Sequence, residues 1–149
     1  LQSTSKKLTL AVYSAHGPEI RLDALHTLLP DARLLYPLCH AGEVLSFHEV
    51  AHTEELTPGM LDILEPDPAQ HTEVEIKDID IFLCPGLAFG RDRTRLGHGG
   101  GFYDRALHQR SRCAQTIGTA FSVQIRDTVP HAEHDIHLDR VLTEDGYVV

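Results

Sequence analysis

The sequence of 149 residues contains no tryptophan, one methionine and three cysteines, and it has no apolar run of membrane-spanning length. A transmembrane helix needs about 20 consecutive apolar residues, so we expect no membrane partner. The first ten residues, LQSTSKKLTL, also lack the apolar stretch of a signal peptide. The three cysteines, Cys39, Cys84 and Cys113, form no CxxC pair. Neither a disulfide framework nor a thiolate zinc site is predicted, and a cytoplasmic location is expected.

Basic residues are also few, at 13 against 22 acidic ones, and the net charge is −9. This balance excludes a surface dedicated to nucleic acid. Six of the 13 bases nevertheless lie between Arg91 and Arg112, together with only two acids. Such a positive island in an acidic protein attracts a small anion such as a polyphosphate. A solvated arginine-rich helix explains the charge equally well.

Strand-like and helix-like segments alternate along the chain. Strands are predicted at 8–13, 33–36, 44–51, 79–84, 116–120, 140–143 and 147–149, and helices at 22–29 and 102–112. This order predicts a single α/β domain over residues 1–149, with a mostly parallel, Rossmann-like sheet between helices on both faces, hence three layers. Ligands of such folds bind at the carboxyl ends of the strands. The apolar residues of the stretch from 85 to 101 follow neither a helical nor a strand periodicity, and we expect a functional loop there.

A glycine-rich loop runs directly into the second predicted helix, within the segment RLGHGGGFYDR at 95–105. Glycines allow the backbone to take positive φ and to approach a ligand closely, so that successive N–H groups converge on phosphate oxygens. The loop is not a Walker A motif, and Phe102 stands where the third glycine of the dinucleotide fingerprint belongs. A tight structural turn between a strand and a helix remains the alternative.

The neighbours of this loop favour a nucleotide site. Arg95 is a charged donor suited to phosphate. Asp104 lies in the first helical turn, where a carboxylate can hold the Mg²⁺ that accompanies ATP, although acids at that position also compensate the helix dipole. Phe102 and Tyr103 either wall the site or enter the core.

Several short motifs occur in one order along the whole chain. They are PEI at 18–20, ILEP at 63–66, CPGLAF at 84–89, RLGHGGGFYDR at 95–105, AFSVQI at 120–125, VP at 129–130, HD at 134–135 and LDRVLTEDG at 138–146. In content, order and approximate spacing they resemble the 5-formyltetrahydrofolate cyclo-ligases, also called 5,10-methenyltetrahydrofolate synthetases.

The resemblance implies an enzyme that uses ATP and Mg²⁺ to cyclise the small molecule 5-formyltetrahydrofolate to 5,10-methenyltetrahydrofolate, releasing ADP and phosphate. It assigns ATP to Arg95, Leu96, Gly97, His98, Gly99, Gly100, Gly101, Phe102 and Tyr103. It assigns the folate to Glu19, His98, Gly99, Gly100, Gly101 and Phe102, and Mg²⁺ to Asp104 and Asp135. Arg95 is the expected catalytic residue, because phosphoryl transfer needs positioning and charge neutralisation rather than a protein nucleophile. The residues alone do not single out Glu19 or Asp135.

The sequence departs from the family pattern in two places. Members usually begin with a helix whose lysine and arginine contact ATP, whereas the first strand here is predicted at about Leu8. We therefore expect that the domain lacks this basic helix. At position 98 an aromatic or basic residue is usual, so His98 is a modest change. A non-catalytic nucleotide- or folate-binding protein on the same fold is the alternative function, and the oligomeric state is not determined by the sequence.

Two histidine patterns suggest metal chemistry. HEVAH at 48–52 matches the HExxH motif of zinc hydrolases. The flanking residues alternate as in a strand, which would hold His48 and His52 about 13 Å apart, too far to share a zinc ion. His131, His134 and His137 are spaced by three and on a helix would form a weak metal-binding face. Pro130 favours instead a solvated loop that binds metal only adventitiously.

Overall fold

The computed structural model describes residues 5–149 and contains a sheet-rich α/β fold. Its strands are β1 Thr9–Ala11, β2 Arg33–His40, β3 Val44–Glu49, β4 Thr57–Pro58, β5 Leu64–Glu65, β6 Glu73–Val74, β7 Ile81–Cys84, β8 Ala88–Gly90, β9 Arg95–Leu96, β10 Gln115–Thr119, β11 Ile125–Arg126, β12 Arg140–Thr143 and β13 Gly146–Tyr147. Its α-helices are α1 Leu25–Leu28 and α2 Phe102–Leu107. Short 3-10 helices occupy Thr53–Glu55, Met60–Asp62, Ile76–Asp78 and Ser122–Gln124. None of the helices in residues 5–149 has the length and apolarity that a membrane crossing requires.

The main sheet has eight strands in the order β13-β12-β10-β7-β1-β2-β3-β6. Its centre, from β12 to β2, is parallel, whereas β13, β3 and β6 pair antiparallel at the two edges. The α/β class is therefore as expected, and the sheet is mixed, which does not confirm the mostly parallel sheet predicted from the sequence. The reason lies in the connections, since β2 and β3 are joined by the tight turn at 41–43, and a turn of that length permits only antiparallel pairing.

Side chains of the parallel strands alternate between two apolar cores, one on each face of the sheet. On β7, Phe82 and Cys84 enter one core, and Ile81 and Leu83 pack against the other. Helix α2 buries Ala106 and Leu107 in the first core, and Leu25 of α1 packs against the second. Helices of four and six residues do not confirm the two complete helical layers predicted from the sequence.

The segment predicted to be a structureless loop contains two short strands. β8 and β9 pair antiparallel, and β11 joins β8 in a second sheet of three strands. Strands this short carry too few residues to show a period in the sequence. In the turn between β8 and β9, the carboxylate of Asp92 accepts hydrogen bonds from the hydroxyls of Thr128 and Thr94, both at 2.6 Å. These bonds lower the pKa of Asp92 to about 2.

Helix α2 is shorter than predicted, since it ends at Leu107 rather than at residue 112. Beyond it the backbone continues in tighter turns, in which the N–H groups of Gln109 and Arg110 donate to the carbonyls of Ala106 and Leu107. Bonds of this i to i+3 type are common where an α-helix ends. The helix is thus little more than the turn that follows the glycine-rich loop.

The packing of Phe47 on Phe82 gives a test of the first core. Both rings are fully buried, and they meet edge to face with centroids 5.8 Å apart. Phe47→Leu removes this aromatic contact and leaves a small void, so we expect a loss of about 1–2 kcal/mol in the free energy of unfolding. Urea unfolding measures it, and Leu28→Ala, at a helix position with 69 % exposure, is the control expected to change stability by less than about 0.5 kcal/mol. Equal effects of the two substitutions would contradict this account.

Candidate active site

The residues singled out in the sequence gather where the central parallel strands end. Glu19 lies in the loop after β1, and Pro85 directly follows β7. The glycine-rich loop, residues 97–101, connects β9 to α2. Its flanking residue Arg95 donates from Nη1 to the carbonyl of Pro85 at 3.1 Å. This contact brings the loop to the carboxyl edge of the sheet, which is where the fold class predicts a ligand.

The glycine-rich loop is conformationally unusual and open. Gly99 and Gly101 have φ of +94° and +74°, which other residues rarely adopt. A Cβ on Gly99 would meet nothing within 4 Å, whereas a Cβ on Gly100 would lie 2.8 Å from the ring of Phe102. Among residues 5–149, no acceptor is found for the N–H groups of Gly99, Gly100 and Gly101. The loop therefore presents free donors to the space around it, as an anion site requires.

Arg95 is held in place beside this loop. Its side chain is only 7 % exposed, and its guanidinium lies over the ring of Tyr103, 5.4 Å from the centroid. Nη2 is 3.5 Å from Oδ2 of Asp104. One long contact leaves most of the donors of this buried cation without a charged partner, so the group is positioned for a second anion.

Asp104 and Asp135 come from different parts of the chain and lie close together. Oδ1 of Asp104 accepts from the N–H of Ile136, the residue after Asp135, at 3.4 Å. Oδ2 of Asp135 accepts from the N–H of Ala132 at 2.8 Å. Both side chains are 25 % exposed. Carboxylate oxygens with few hydrogen-bond partners suit Mg²⁺, which typically takes one or two carboxylates and completes its shell with phosphate and water.

Glu19 meets the glycine-rich loop through His98. Oε1 of Glu19 accepts from the N–H of His16 at 2.8 Å, and Oε2 lies 3.9 Å from Nε2 of His98. The carboxylate side chain is 11 % exposed and the imidazole 57 %. Sequence reasoning alone could not have selected Glu19, because only the fold carries the loop after β1 to the loop after β9.

Not every predicted site residue faces this space. Phe102 is partly buried against the first core, and Leu96 is a half-buried residue of β9. Their side chains therefore support the loop, and their backbone is the part available to a ligand. Asp104, Asp135, Arg95, Glu19 and His98 are brought to one edge of the sheet.

Two features of the site were missed in the sequence. Glu43, at the tip of the β2–β3 hairpin, pairs with Arg105 of α2 at 3.2 Å, and its Oε2 lies 3.7 Å from the position of a Cβ on Gly101. The hydroxyl of Tyr103 is buried and has no partner within residues 5–149. Burial raises the pKa of Tyr103 well above its ordinary value. A hydroxyl without a partner at the start of α2 has no signature in the sequence.

The site contains no activated thiol. Cys84 ends β7 just behind Pro85, and its side chain is fully buried. Burial raises the pKa of this thiol to about 12. Because the thiolate is the nucleophilic form of cysteine, Cys84 is inert at neutral pH. The arrangement is suited to holding and neutralising an anion.

The first two residues of HEVAH, His48 and Glu49, end β3, so the strand predicted at 44–51 forms but stops two residues earlier. His48 is 4 % exposed, and its Nδ1 donates to the carbonyl of His71 at 2.9 Å. Its Nε2 shares a hydrogen bond with the hydroxyl of Ser46 at 2.8 Å. Both ring nitrogens are thus occupied. Within residues 5–149 no group of three or more His, Cys, Asp or Glu side chains is arranged to hold a metal ion, which removes the zinc hydrolase interpretation.

Comparison with known proteins agrees with the motifs. The family model "5-formyltetrahydrofolate cyclo-ligase family" matches residues 1–144. The chain is 39 % identical over 85 residues to the 5-formyltetrahydrofolate cyclo-ligase of Mycolicibacterium smegmatis, which covers 57 % of this chain and 44 % of that protein. It is 33 % identical over 141 residues to the protein of the same name from Escherichia coli K12, covering 91 % of this chain and 77 % of the relative.

A solved structure shares the fold. The 5,10-methenyltetrahydrofolate synthetase of Aquifex aeolicus superposes with a TM-score of 0.73 and 29 % identity, over 95 % of this chain and 70 % of that one. The matched segment spans less than half of the Mycolicibacterium smegmatis relative and about three quarters of the Escherichia coli protein. Family model, relatives and structure agree along almost the whole sequence, and the chain belongs to the 5-formyltetrahydrofolate cyclo-ligase family.

Proposed function

We propose that this protein catalyses the ATP- and Mg²⁺-dependent cyclisation of 5-formyltetrahydrofolate to 5,10-methenyltetrahydrofolate, with release of ADP and phosphate. The observation that carries the proposal is the convergence of the open glycine-rich loop, the buried Arg95 and the carboxylate of Asp104 at one edge of the sheet. In a member of this family, such a cluster of donors beside a carboxylate suits the transfer of a phosphoryl group.

The polyphosphate of ATP would lie along the segment Arg95–Tyr103. The N–H groups of Gly99, Gly100 and Gly101 have no acceptor within residues 5–149 and are free to donate to phosphate oxygens. The guanidinium of Arg95 would neutralise charge as it develops on the transferred group, and its bond to Pro85 fixes its position. Fixed donors lower the barrier because they need no reorganisation during the reaction.

The folate would approach from the opposite side of the loop, between Glu19 and the segment His98–Phe102. Glu19 is oriented by the N–H of His16 and has one oxygen turned toward His98. A carboxylate in that position accepts hydrogen bonds from the amine and amide N–H groups of a pterin ring. This arrangement would set the formyl group against the terminal phosphate of ATP.

The reaction needs two bond exchanges. The formyl oxygen attacks the γ-phosphorus, a phosphorus–oxygen bond forms, and the bond to ADP breaks. The other folate nitrogen then attacks the activated formyl carbon and loses its proton, the ring closes, and inorganic phosphate leaves with the former formyl oxygen and takes up the proton. The protein supplies orientation and charge neutralisation to both exchanges.

Asp104 and Asp135 would hold Mg²⁺. Each carboxylate accepts few hydrogen bonds and has lone pairs available, and the N–H of Ile136 keeps the two residues adjacent. When bound, the ion neutralises charge on the phosphates of the nucleotide. Arg95 reaches the same carboxylate of Asp104 from the other side, so it also orients that residue.

The direct test is the absorbance of methenyltetrahydrofolate, measured with full-length protein, 5-formyltetrahydrofolate, ATP and Mg²⁺. We expect product only when all three components are present. Calorimetric binding of ATP and folate without turnover would identify the non-catalytic binding protein instead. Neither binding nor turnover would contradict both functions.

Substitution of Asp104 tests the metal position. Asp104→Asn keeps the shape of the side chain and removes its charge, so we expect turnover at limiting Mg²⁺ to fall by at least about 10–100-fold. Asp31→Asn, an exposed position just before β2 at the opposite edge of the sheet, is the matched control and should retain full activity. If turnover of Asp104→Asn matches that of the control at every Mg²⁺ concentration, Asp104 is not at the metal site.

Substitution of Arg95 tests the proposed catalytic group. Arg95→Lys preserves the charge but loses the planar donors that reach Pro85 and the phosphate together. We expect kcat to fall by about 100-fold or more, with a smaller change in the KM for folate. Arg91→Lys, whose side chain is 61 % exposed, is the control. A normal kcat in Arg95→Lys would exclude the proposed role of the guanidinium.

A further inference from the structure

Two histidines that are six positions apart meet at the ends of one loop. His131 and His137 flank the segment that carries Asp135, and their ring centroids are 5.6 Å apart, with the ring planes at 83°. The chain between them is not helical, which agrees with the loop predicted from Pro130 and excludes the alternative of a helical face with three histidines. His134 turns instead toward Asp135, with Nε2 3.7 Å from Oδ1.

The hydrogen bonds of this pair fix which ring nitrogens are free. Nδ1 of His131 lies 2.7 Å from the carbonyl of Val129, and Nδ1 of His137 lies 3.2 Å from the carbonyl of Asp92. A carbonyl oxygen can only accept, so Nδ1 is the protonated nitrogen of each ring. In the neutral imidazole, Nε2 then carries the lone pair. No protein partner of either Nε2 is found among residues 5–149.

This is the arrangement in which histidines bind metal ions. A metal-bound imidazole almost always donates its other N–H to a carbonyl or carboxylate, which fixes the tautomer and the ring orientation. Two imidazoles on one tetrahedral ion, at metal–nitrogen distances of about 2.0–2.1 Å, place their ring centroids about 5 Å apart. The observed centroid distance of 5.6 Å is close to this value, and both side chains are exposed.

We propose that the Nε2 atoms of His131 and His137 bind one late first-row divalent metal ion, which bridges the two ends of the loop that carries Asp135. The class of ion follows from the ligands, since imidazole suits Ni²⁺, Cu²⁺ and Zn²⁺, whereas Mg²⁺ prefers oxygen. Water, or an oxygen of a bound anion, completes the coordination. The site differs in both ligands and metal from the carboxylate pair Asp104 and Asp135.

The carbonyl partners tie this ion to the fixed part of the fold. Asp92, which accepts from His137, lies in the turn between β8 and β9. Leu138, the residue after His137, donates its N–H to the carbonyl of Arg93 in the same turn at 2.9 Å. Val129 is 4 % exposed and anchors the other end. A bridge from His131 to His137 therefore shortens the free length of the loop and restrains Asp135 within it.

Calorimetric titration of the full-length protein with NiCl₂ tests the proposal, in buffer that contains excess Mg²⁺ to occupy the carboxylates. We expect one equivalent of Ni²⁺ to bind to the wild type. His131→Ala and His137→Ala should each weaken this binding by more than about 10-fold, since even the loss of an outer hydrogen-bond partner weakens metal sites by that factor. His134→Ala is the matched control and should bind as the wild type does.

Thermal unfolding gives a second readout that separates lost binding from lost structure. Saturating Ni²⁺ should raise the unfolding midpoint of the wild type and of His134→Ala by about 5 °C. Without metal, His131→Ala and His137→Ala should unfold at the same midpoint as the wild type. Addition of Ni²⁺ should not shift the midpoint of either variant. Retention of the Ni²⁺ equivalent in His131→Ala and His137→Ala, or its loss in Asp104→Asn, would overturn the proposal. Neither measurement uses ATP or folate, so the outcome is separate from that of the proposed ligase activity.

Discussion

The guanidinium of Arg95 donates to the carbonyl of Pro85, covers the ring of Tyr103 and reaches Asp104. These contacts join the end of β7 to the start of α2 across the glycine-rich loop. A loop with several glycines has little conformational preference of its own, so its shape depends on the side chains that hold its two ends. Burial of a charged group is costly unless its donors are used, which ties this arginine to its partners and to an incoming anion.

The sheet places this interaction where chemistry can occur. Phe82 and Cys84 anchor β7 in the first core, and Ile81 and Leu83 anchor it in the second. Because side chains on both faces of β7 are packed in apolar cores, polar groups can be placed only at the end of the strand. The β2–β3 hairpin then reaches back over α2, and Glu43 pairs with Arg105 there. The candidate site is therefore bordered by loops from strands that are distant in sequence, which is typical of parallel sheets.

The histidines show how one residue type takes different roles according to its surroundings. His48 is buried in β3 with both ring nitrogens hydrogen-bonded, which leaves no lone pair for a metal ion. His98 is exposed on the glycine-rich loop opposite Glu19. His131 and His137 each use Nδ1 in a hydrogen bond to a backbone carbonyl, and their rings lie 5.6 Å apart. Burial and the identity of the acceptor decide these differences, and neither can be read from the spacing of the histidines.

The sequence by itself determined the class of fold, the approximate positions of the main strands, and the family, because apolar runs and contiguous motifs are local properties of a chain. The glycine-rich loop with Arg95 and Asp104 was visible for the same reason. Only the tertiary structure decided that the sheet is mixed, that β8 and β9 pair within the supposed loop, and that Glu19 meets His98. Strand register and contacts between distant loops depend on how both faces of the sheet are packed, and no short segment encodes that packing.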